Sequence, residues 1–367
     1  MKRVFSPLAL LFLAASPCAG QATPARLTSF YTHEGSEKLY RAAKYTEAEG
    51  MCKQAITEIE KARGAKAWEL AEPLNDLATI YMRQARYAEA KQVIDRADSV
   101  VDKSKPEQAP IYARLGINKG WRLFTFGEPE QALKIFTEGR EILEKSGKDS
   151  IDLAELINNQ GLMYEDVGEK KEDEDMVKQA RACLLKGWQM RKKLTGEESP
   201  ETAESLNNLG MHLMFNGNTP EEAELGISTL KKSLELSEKV YGKNHPETAV
   251  SHGTVALALL LHRDYDEAEK EIGIAIPMTQ RFMGDKHPDL AYELTTYGHL
   301  LEQQQHLDEA EKKFLEALSI NETIYGKTHP NIVPSLEALK NLYDEKSEPA
   351  KSQEMEKRIE KLSGKDI

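Results

Sequence analysis

Gly242-Lys-Asn-His-Pro246 occurs twice more with small changes, as Gly284-Asp-Lys-His-Pro288 and as Gly326-Lys-Thr-His-Pro330. The interval is 42 residues each time, and a weaker copy, Gly196-Glu-Glu-Ser-Pro200, lies 46 residues before Pro246. A fixed period of this length is typical of a solenoid, whose units are too small to bury their apolar faces alone. The phrase suits a junction between helices, because Gly ends a helix in the left-handed region and Pro fits the first turn of the next.

The three histidines of the phrase, His245, His287 and His329, would stack along one edge of such a solenoid. Metal-binding histidines usually come in tight spacings on one element, and no Cys or carboxylate recurs beside these three in a ligand pattern. We therefore expect a capping or packing role for them, and neither a metal nor a cofactor.

Two columns of small residues extend the repeat to the rest of the chain. In the second helix of each unit, the small residue is followed by another one seven positions later, on the same helical face. The second-helix column is Ala48, Ala90, Ala132, Ala180, Gly226, Ala268 and Ala310. The first-helix column is Ala78, Gly120, Gly161, Gly210, Ala256 and Gly298. Small residues at these positions allow two helices to approach closely, which predicts about seven helix pairs.

These columns resemble tetratricopeptide repeats, and the 42-residue period with Leu206-Asn-Asn-Leu-Gly210 resembles the kinesin-light-chain subtype of that family. The resemblance covers about residues 27–345 and implies an all-α, right-handed superhelical solenoid of antiparallel helix pairs. It is weaker in the first three units, where Pro106 to Pro110 stands in place of the His-Pro phrase. No coiled coil precedes the repeats, so the motor-adaptor role of the family is not transferred.

The sequence predicts a signal peptide at the start of the chain and a capping helix at its end. Residues 1–22 have a basic start, an apolar stretch and a run of small residues, which is typical of a signal peptide. Acylation at Cys18 is disfavoured by Pro17, so we expect no lipid anchor and a periplasmic or secreted protein. The solenoid is predicted over 27–345, as about seven helix pairs plus a final first helix, and residues 346–367 as a capping helix and tail.

Composition excludes several classes of partner. The chain has 367 residues and a formal net charge of −12, so a nucleic-acid partner, which requires a basic face, is not expected. The apolar stretch of the leader is too short for a membrane span. Cys52 and Cys183 fall in units that are not neighbours, which predicts two free, buried thiols.

The sequence contains no motif of a known catalytic mechanism, and we expect no enzyme. A polar column in the first helices is more informative, because the resemblance implies that these helices line a concave groove whose asparagines hold an extended peptide. The predicted contacts are Asn75, Asn118, Asn158, Asn159, Asn207 and Asn208, with Arg83 and Arg114 on the groove wall favouring an acidic ligand. Asn can pair with a peptide backbone in either direction, but it can equally bond to a neighbouring helix and tighten the packing.

The leading functional hypothesis is an exported scaffold that binds an extended segment of a partner protein in its concave groove. The alternative is a structural subunit or assembly factor of a cell-envelope or export complex, which would dock by its convex face or its ends.

Overall fold

The computed structural model describes residues 33–217 and 219–362, so the predicted signal peptide, Cys18 and the last five residues lie outside the described part. All regular structure in these ranges is helical. The helices are α1 His33–Arg41, α2 Tyr45–Arg63, α3 Ala71–Arg83, α4 Tyr87–Val100, α5 Ala109–Thr125, α6 Pro129–Glu144, α7 Ile151–Lys171, α8 Glu174–Thr195, α9 Pro200–Asn216, α10 Pro220–Val240, α11 Pro246–His262, α12 Tyr265–Met283, α13 Pro288–Gln303, α14 Leu307–Tyr325, α15 Val333–Glu345 and α16 Pro349–Leu362. Short 3-10 turns precede α3 and α15, at Trp68–Leu70 and Pro330–Ile332. None of these helices has the length and apolar character that crossing a bilayer requires.

Consecutive helices pack in adjacent pairs, which confirms the predicted all-α solenoid. The described residues belong to two compact units, an N-terminal unit (33–205) and a C-terminal unit (206–362), with the division inside α9. Helix α16, which was predicted as a cap, also contributes to the core: its Met355 is buried in one cluster with Phe314 and Leu339. Helices α15 and α16 therefore form a further pair.

The repeated Gly-x-x-His-Pro phrase forms the junctions between pairs, as predicted. Gly284 ends α12 with φ 81° and ψ 179°, which is a region essentially restricted to glycine rather than the predicted left-handed helical region. His287 then caps α13, because its Nδ1 accepts a hydrogen bond from the backbone N–H of Asp289 at 3.2 Å. His245 and His329 cap the following elements in the same way at 3.1 Å. The capping role of the three histidines is confirmed.

In the pairs whose turn the structure describes completely, the turn contains one residue with positive φ. Four of these turn residues are Ala43 and Ala85 (φ 55° each), Gln305 (φ 64°) and Ser347 (φ 57°). Ala43 and Ala85 lie 42 residues apart, and so do Gln305 and Ser347. The turns therefore follow the same period as the junctions. The sequence carries little signal for this turn, since these residues are not glycine.

The small-residue columns mark where the two helices of a pair cross. A Cβ on Gly120 would lie 2.3 Å from Phe136, and one on Gly298 would lie 2.4 Å from Phe314. Real Cβ atoms do not approach other atoms so closely. The lack of a side chain at each glycine therefore allows the aromatic ring of the paired helix to pack against the backbone there. The helix pairing predicted from these columns follows from this close approach.

Both described cysteines are free thiols, as predicted. Cys52 is buried, with its Sγ 3.3 Å from the Oγ of Ser36, and burial raises the pKa of its thiol. The prediction that Cys183 is buried was wrong, because it is only half-buried. It lies one residue before Leu184, which occupies the buried position of α8.

Candidate functional site

The first helix of each pair is the more deeply buried one. In the N-terminal unit, α7 is buried from Ile151 to Gly168 except at Tyr164, whereas α8 buries a single stripe. We call α1, α3, α5, α7 and the start of α9 the first-helix layer of this unit. Polar groups in a buried layer need hydrogen-bond partners, so their pairing distinguishes packing from binding.

Two of the predicted contact residues bond to each other. The Nδ2 group of Asn118 on α5 lies 2.9 Å from Asn75 Oδ1, 3.2 Å from the Asn75 carbonyl oxygen and 2.9 Å from Thr79 Oγ1. All three acceptors belong to α3, the first helix of the preceding pair. Asn75 and Asn118 thus connect adjacent repeats.

The next two asparagines are arranged differently. Asn158 and Asn159 on α7 are both buried, and Asn158 Nδ2 donates to Asn159 Oδ1 at 3.3 Å. The Nδ2 group of Asn159 has no hydrogen-bond partner among the described residues. Asn159 therefore has a buried donor that no described residue pairs with, although it has the same register as Asn118.

The last two predicted asparagines lie in the C-terminal unit. Asn207 and Asn208 are both buried on α9. The Nδ2 group of Asn207 also lacks a partner within the part of the chain that the structure describes.

Neither predicted arginine is an exposed wall residue. Arg83 ends α3 and is buried. Arg114 is engaged by two neighbours: its Nη2 lies 3.1 Å from Asp152 Oδ2 on α7, and its Nη1 lies 3.4 Å from Glu72 Oε1 on α3. The expected acidic ligand thus loses its main support, because the guanidinium of Arg114 already has carboxylate partners.

Four carboxyl groups gather where α7 meets the start of α9, and we call them the carboxyl cluster: Asp152, Glu155, Glu201 and Glu204. Three of the four have a guanidinium partner. Besides Asp152 with Arg114, Glu201 Oε1 lies 2.5 Å from Arg41 Nη2 of α1, although 160 residues separate them, and Glu204 Oε1 lies 3.4 Å from Arg191 Nη1 of α8. The fourth, Glu155, has no ion-pair or hydrogen-bond partner for its Oε2 among the described residues.

The same cluster shifts the ionisation of its members. Burial raises the pKa of Glu155 well above its ordinary value; Arg191 opposes this rise, and the nearby Glu204, Asp152 and Glu201 reinforce it. Burial also disfavours the charge of Glu201, but the hydrogen-bonded Arg41 outweighs it and lowers the pKa of that carboxyl. The pKa values of two neighbouring carboxyls, on α7 and α9, are therefore shifted in opposite directions.

Arg191 is a functional candidate that the sequence reasoning missed. Its side chain is fully buried, its Nη1 donates to Ser205 Oγ at 3.1 Å, and its Nε and Nη2 have no hydrogen-bond partner in the described ranges. A spacing of 14 residues could have identified it, because equivalent polar pairs recur in the C-terminal unit. These are Ser237 with Ser251 (3.0 Å), Thr279 with Glu293 (2.6 Å) and Asn321 with Ser335 (3.1 Å).

A second charged pair lies at the start of the layer. His33 Nδ1 on α1 is 3.0 Å from both carboxylate oxygens of Asp76 on α3. Burial disfavours the imidazolium, but the charge of Asp76 and its hydrogen bond outweigh burial and raise the pKa of His33 to about 9. Asp76 is thus paired within the fold. Over 33–217 and 219–362, no group of three or more His, Cys, Asp or Glu side chains is arranged to hold a metal ion.

Two family models match the sequence, both described as tetratricopeptide repeats, at residues 221–271 and 297–331. No curated protein matches it.

Among solved structures, a Rap protein complexed with Competence and Sporulation Factor is 12% identical, with a TM-score of 0.60 over 90% of this chain and 96% of that one. The apo form of RapI is 15% identical, with a TM-score of 0.55 over 79% of this chain and 96% of that one. A putative kinesin light chain repeat structure from Podosopora anserina is 16% identical, with a TM-score of 0.42 over 55% of this chain and 93% of that one.

Helix pairs with a 42-residue period, aromatic rings packed against glycines and two matching repeat models agree with the predicted resemblance. The chain contains tetratricopeptide repeats, which the models match at residues 221–271 and 297–331.

Proposed function

We propose that this protein is an exported interaction scaffold, periplasmic or secreted, whose first-helix layer lines a concave groove that holds an extended segment of a partner protein. One observation carries the proposal: the N-terminal unit has buried donors that find no acceptor among the described residues, at Asn159 Nδ2 and at Nε and Nη2 of Arg191. A buried donor without a partner costs about 1–3 kcal/mol, so such groups are rarely retained without a use.

A peptide backbone is the ligand that these donors fit best. An extended chain exposes carbonyl oxygens at regular intervals, whatever its side chains, and each oxygen can accept a hydrogen bond from an amide or a guanidinium. Asn159 lies on α7 and Arg191 on α8, which are the two helices of one pair. Sequence-independent contacts of this kind suit a scaffold.

Two further considerations support the proposal. The Rap protein, which has the same fold, is complexed with a factor in its crystal structure. Export rests on the predicted signal peptide alone, and mature protein that still begins at Met1 would contradict that part of the proposal.

Asn159 and Asn118 provide a matched pair of variants that tests the peptide contact. The probe is a 12-residue peptide selected from a random display library on the full-length chain. Asn159→Ala should weaken binding of this peptide by about 2- to 10-fold, since one hydrogen bond is lost. The melting temperature should fall less than in Asn118→Ala, because Nδ2 of Asn159 has no partner among the described residues, its Oδ1 accepts a single 3.3 Å bond from Asn158, and Ala is the better helix former.

Asn118→Ala should do the opposite. It leaves the acceptors of Asn75 and Thr79 buried without their donor, which is expected to cost about 1–3 kcal/mol of folding stability. Affinity for the peptide should stay unchanged below the melting transition. An Asn159→Ala protein that melts early and binds the peptide as tightly as wild type would contradict the proposed contact.

A further inference from the structure

The carboxyl cluster of the N-terminal unit contains four carboxyl groups, and three of them have a guanidinium within ion-pair distance. Asp152, Glu201 and Glu204 are paired with Arg114, Arg41 and Arg191 respectively. Glu155 lies among them on α7 and is 1% exposed, yet its Oε2 has no partner among the described residues. A buried carboxyl oxygen without a partner is costly in either protonation state, and the nearby Arg191 does not donate a hydrogen bond to Glu155 Oε2, nor does any other described residue.

The surroundings of Glu155 indicate what that group is. One turn before it lies Asp152, and one turn after it lies Asn159 with its free donor. From α8 comes the guanidinium of Arg191, already in contact with Glu204, and from α9 come the carboxyls of Glu201 and Glu204. Asp152, Glu201 and Glu204 each lie beside a guanidinium. An incoming anion would therefore face an excess of carboxyls, whereas an incoming cation would meet Glu155, which can lose its proton and pair with it.

We infer that the partner segment carries a Lys or Arg side chain whose cation pairs with Glu155, while Arg191 and Asn159 bond to carbonyl oxygens of the same segment. This inference rests on the proposed function and specifies the chemistry of its ligand. It reverses the expectation of an acidic ligand, which depended on Arg83 and Arg114. The first of these is buried, and the second is held by Asp152 and Glu72.

Binding of a cation here should release a proton. Burial and the carboxyls of Glu204, Asp152 and Glu201 keep the pKa of Glu155 raised in the free protein, against the opposing charge of Arg191. A cation placed beside Glu155 favours its ionised form and lowers that pKa. Affinity for a basic segment should therefore rise with pH until the pH passes the raised pKa, and then level off.

The test is calorimetric titration of the full-length chain in two buffers that differ in ionisation enthalpy, at one pH near 6. The probes are a display-selected 12-residue peptide with one Lys and its twin with Gln in place of that Lys. Wild-type protein should release up to about one proton on binding the Lys peptide. The Gln twin should bind about 10- to 100-fold more weakly and release none.

Glu155→Gln is the variant, and Glu141→Gln, at an exposed position of α6, is its matched control. In Glu155→Gln the advantage of the Lys peptide and the proton release should both disappear, while affinity for the Gln twin stays as in wild type. Equal unfolding midpoints of the two variants would exclude a general loss of structure.

The possible failures are distinguishable. If peptides bind but the Lys and Gln forms bind equally, without proton release, the inference is overturned and the proposed function stands. If no peptide from the library binds, the proposed function fails and this inference fails with it.

Discussion

Replacing Phe314 by Ala is expected to lower the free energy of unfolding by about 3–5 kcal/mol. The Phe314 ring is fully buried in the C-terminal unit, in one cluster with Leu339 and Met355. It occupies the space that the missing side chain of Gly298 leaves open, and its centroid lies 4.8 Å from that of the His299 ring. The backbone on either side cannot close the cavity, because two helices hold it in place.

Urea unfolding followed by circular dichroism at 222 nm checks this expectation. Leu315→Ala is the control, since Leu315 is the next residue of α14 and is 44% exposed. Its unfolding midpoint should stay close to that of wild type. If both variants unfold at the same urea concentration, the assignment of Phe314 to the repeat core is wrong.

Arg114→Gln should be the second most damaging change, with a loss of roughly 3 kcal/mol or more. The guanidinium joins Glu72, Asp152 and its own helix, so it connects three successive first helices of the N-terminal unit. Gln cannot neutralise two carboxylates, and Asp152 would be left as a buried anion without a counter-charge. Thermal unfolding monitored by circular dichroism measures the loss.

Lys91→Gln is the matched control for Arg114→Gln. The Lys91 side chain pairs with Asp95 on the same helix, α4, and both side chains are exposed, so the pair contributes about 0–1 kcal/mol. Had Arg114 been a ligand-binding residue on an open wall, its replacement would weaken binding in a salt-dependent way and leave stability as in the Lys91→Gln protein.

The fold was largely predictable because its determinants repeat in the sequence. The period of Gly284 and its two counterparts located the junctions, and the small columns at Gly120 and Gly298 located the helix crossings. The turn within each pair was not predictable, since residues as different as Ala85 and Gln305 adopt its positive φ. There the position of the next helix, rather than the residue type, determines the backbone conformation.

At the candidate site, the residue types could be predicted from the sequence, but the hydrogen-bond partners of these residues could not. Asn118 and Asn159 have the same register in successive units, but one bonds to the preceding repeat and the other keeps a free donor. That difference depends on which side chains the neighbouring helix presents, and single-sequence patterns do not contain it. The same holds for Glu155 and Glu204, which also share a register in successive units: Glu204 lies within ion-pair distance of Arg191, whereas Glu155 Oε2 has no partner among the described residues.

Paramagnetic broadening shows which face of the protein the ligand contacts. The measurement uses a nitroxide on the middle residue of the display-selected peptide and records the side-chain amide signals of the full-length chain. The Asn159 signal, identified by its loss in Asn159→Ala, should broaden on binding, whereas Gln179, exposed on α8, should stay sharp. A sharp Asn159 signal with a broadened Gln179 signal would place the partner on the second helices of the pairs, such as α8, and contradict binding at the first-helix layer.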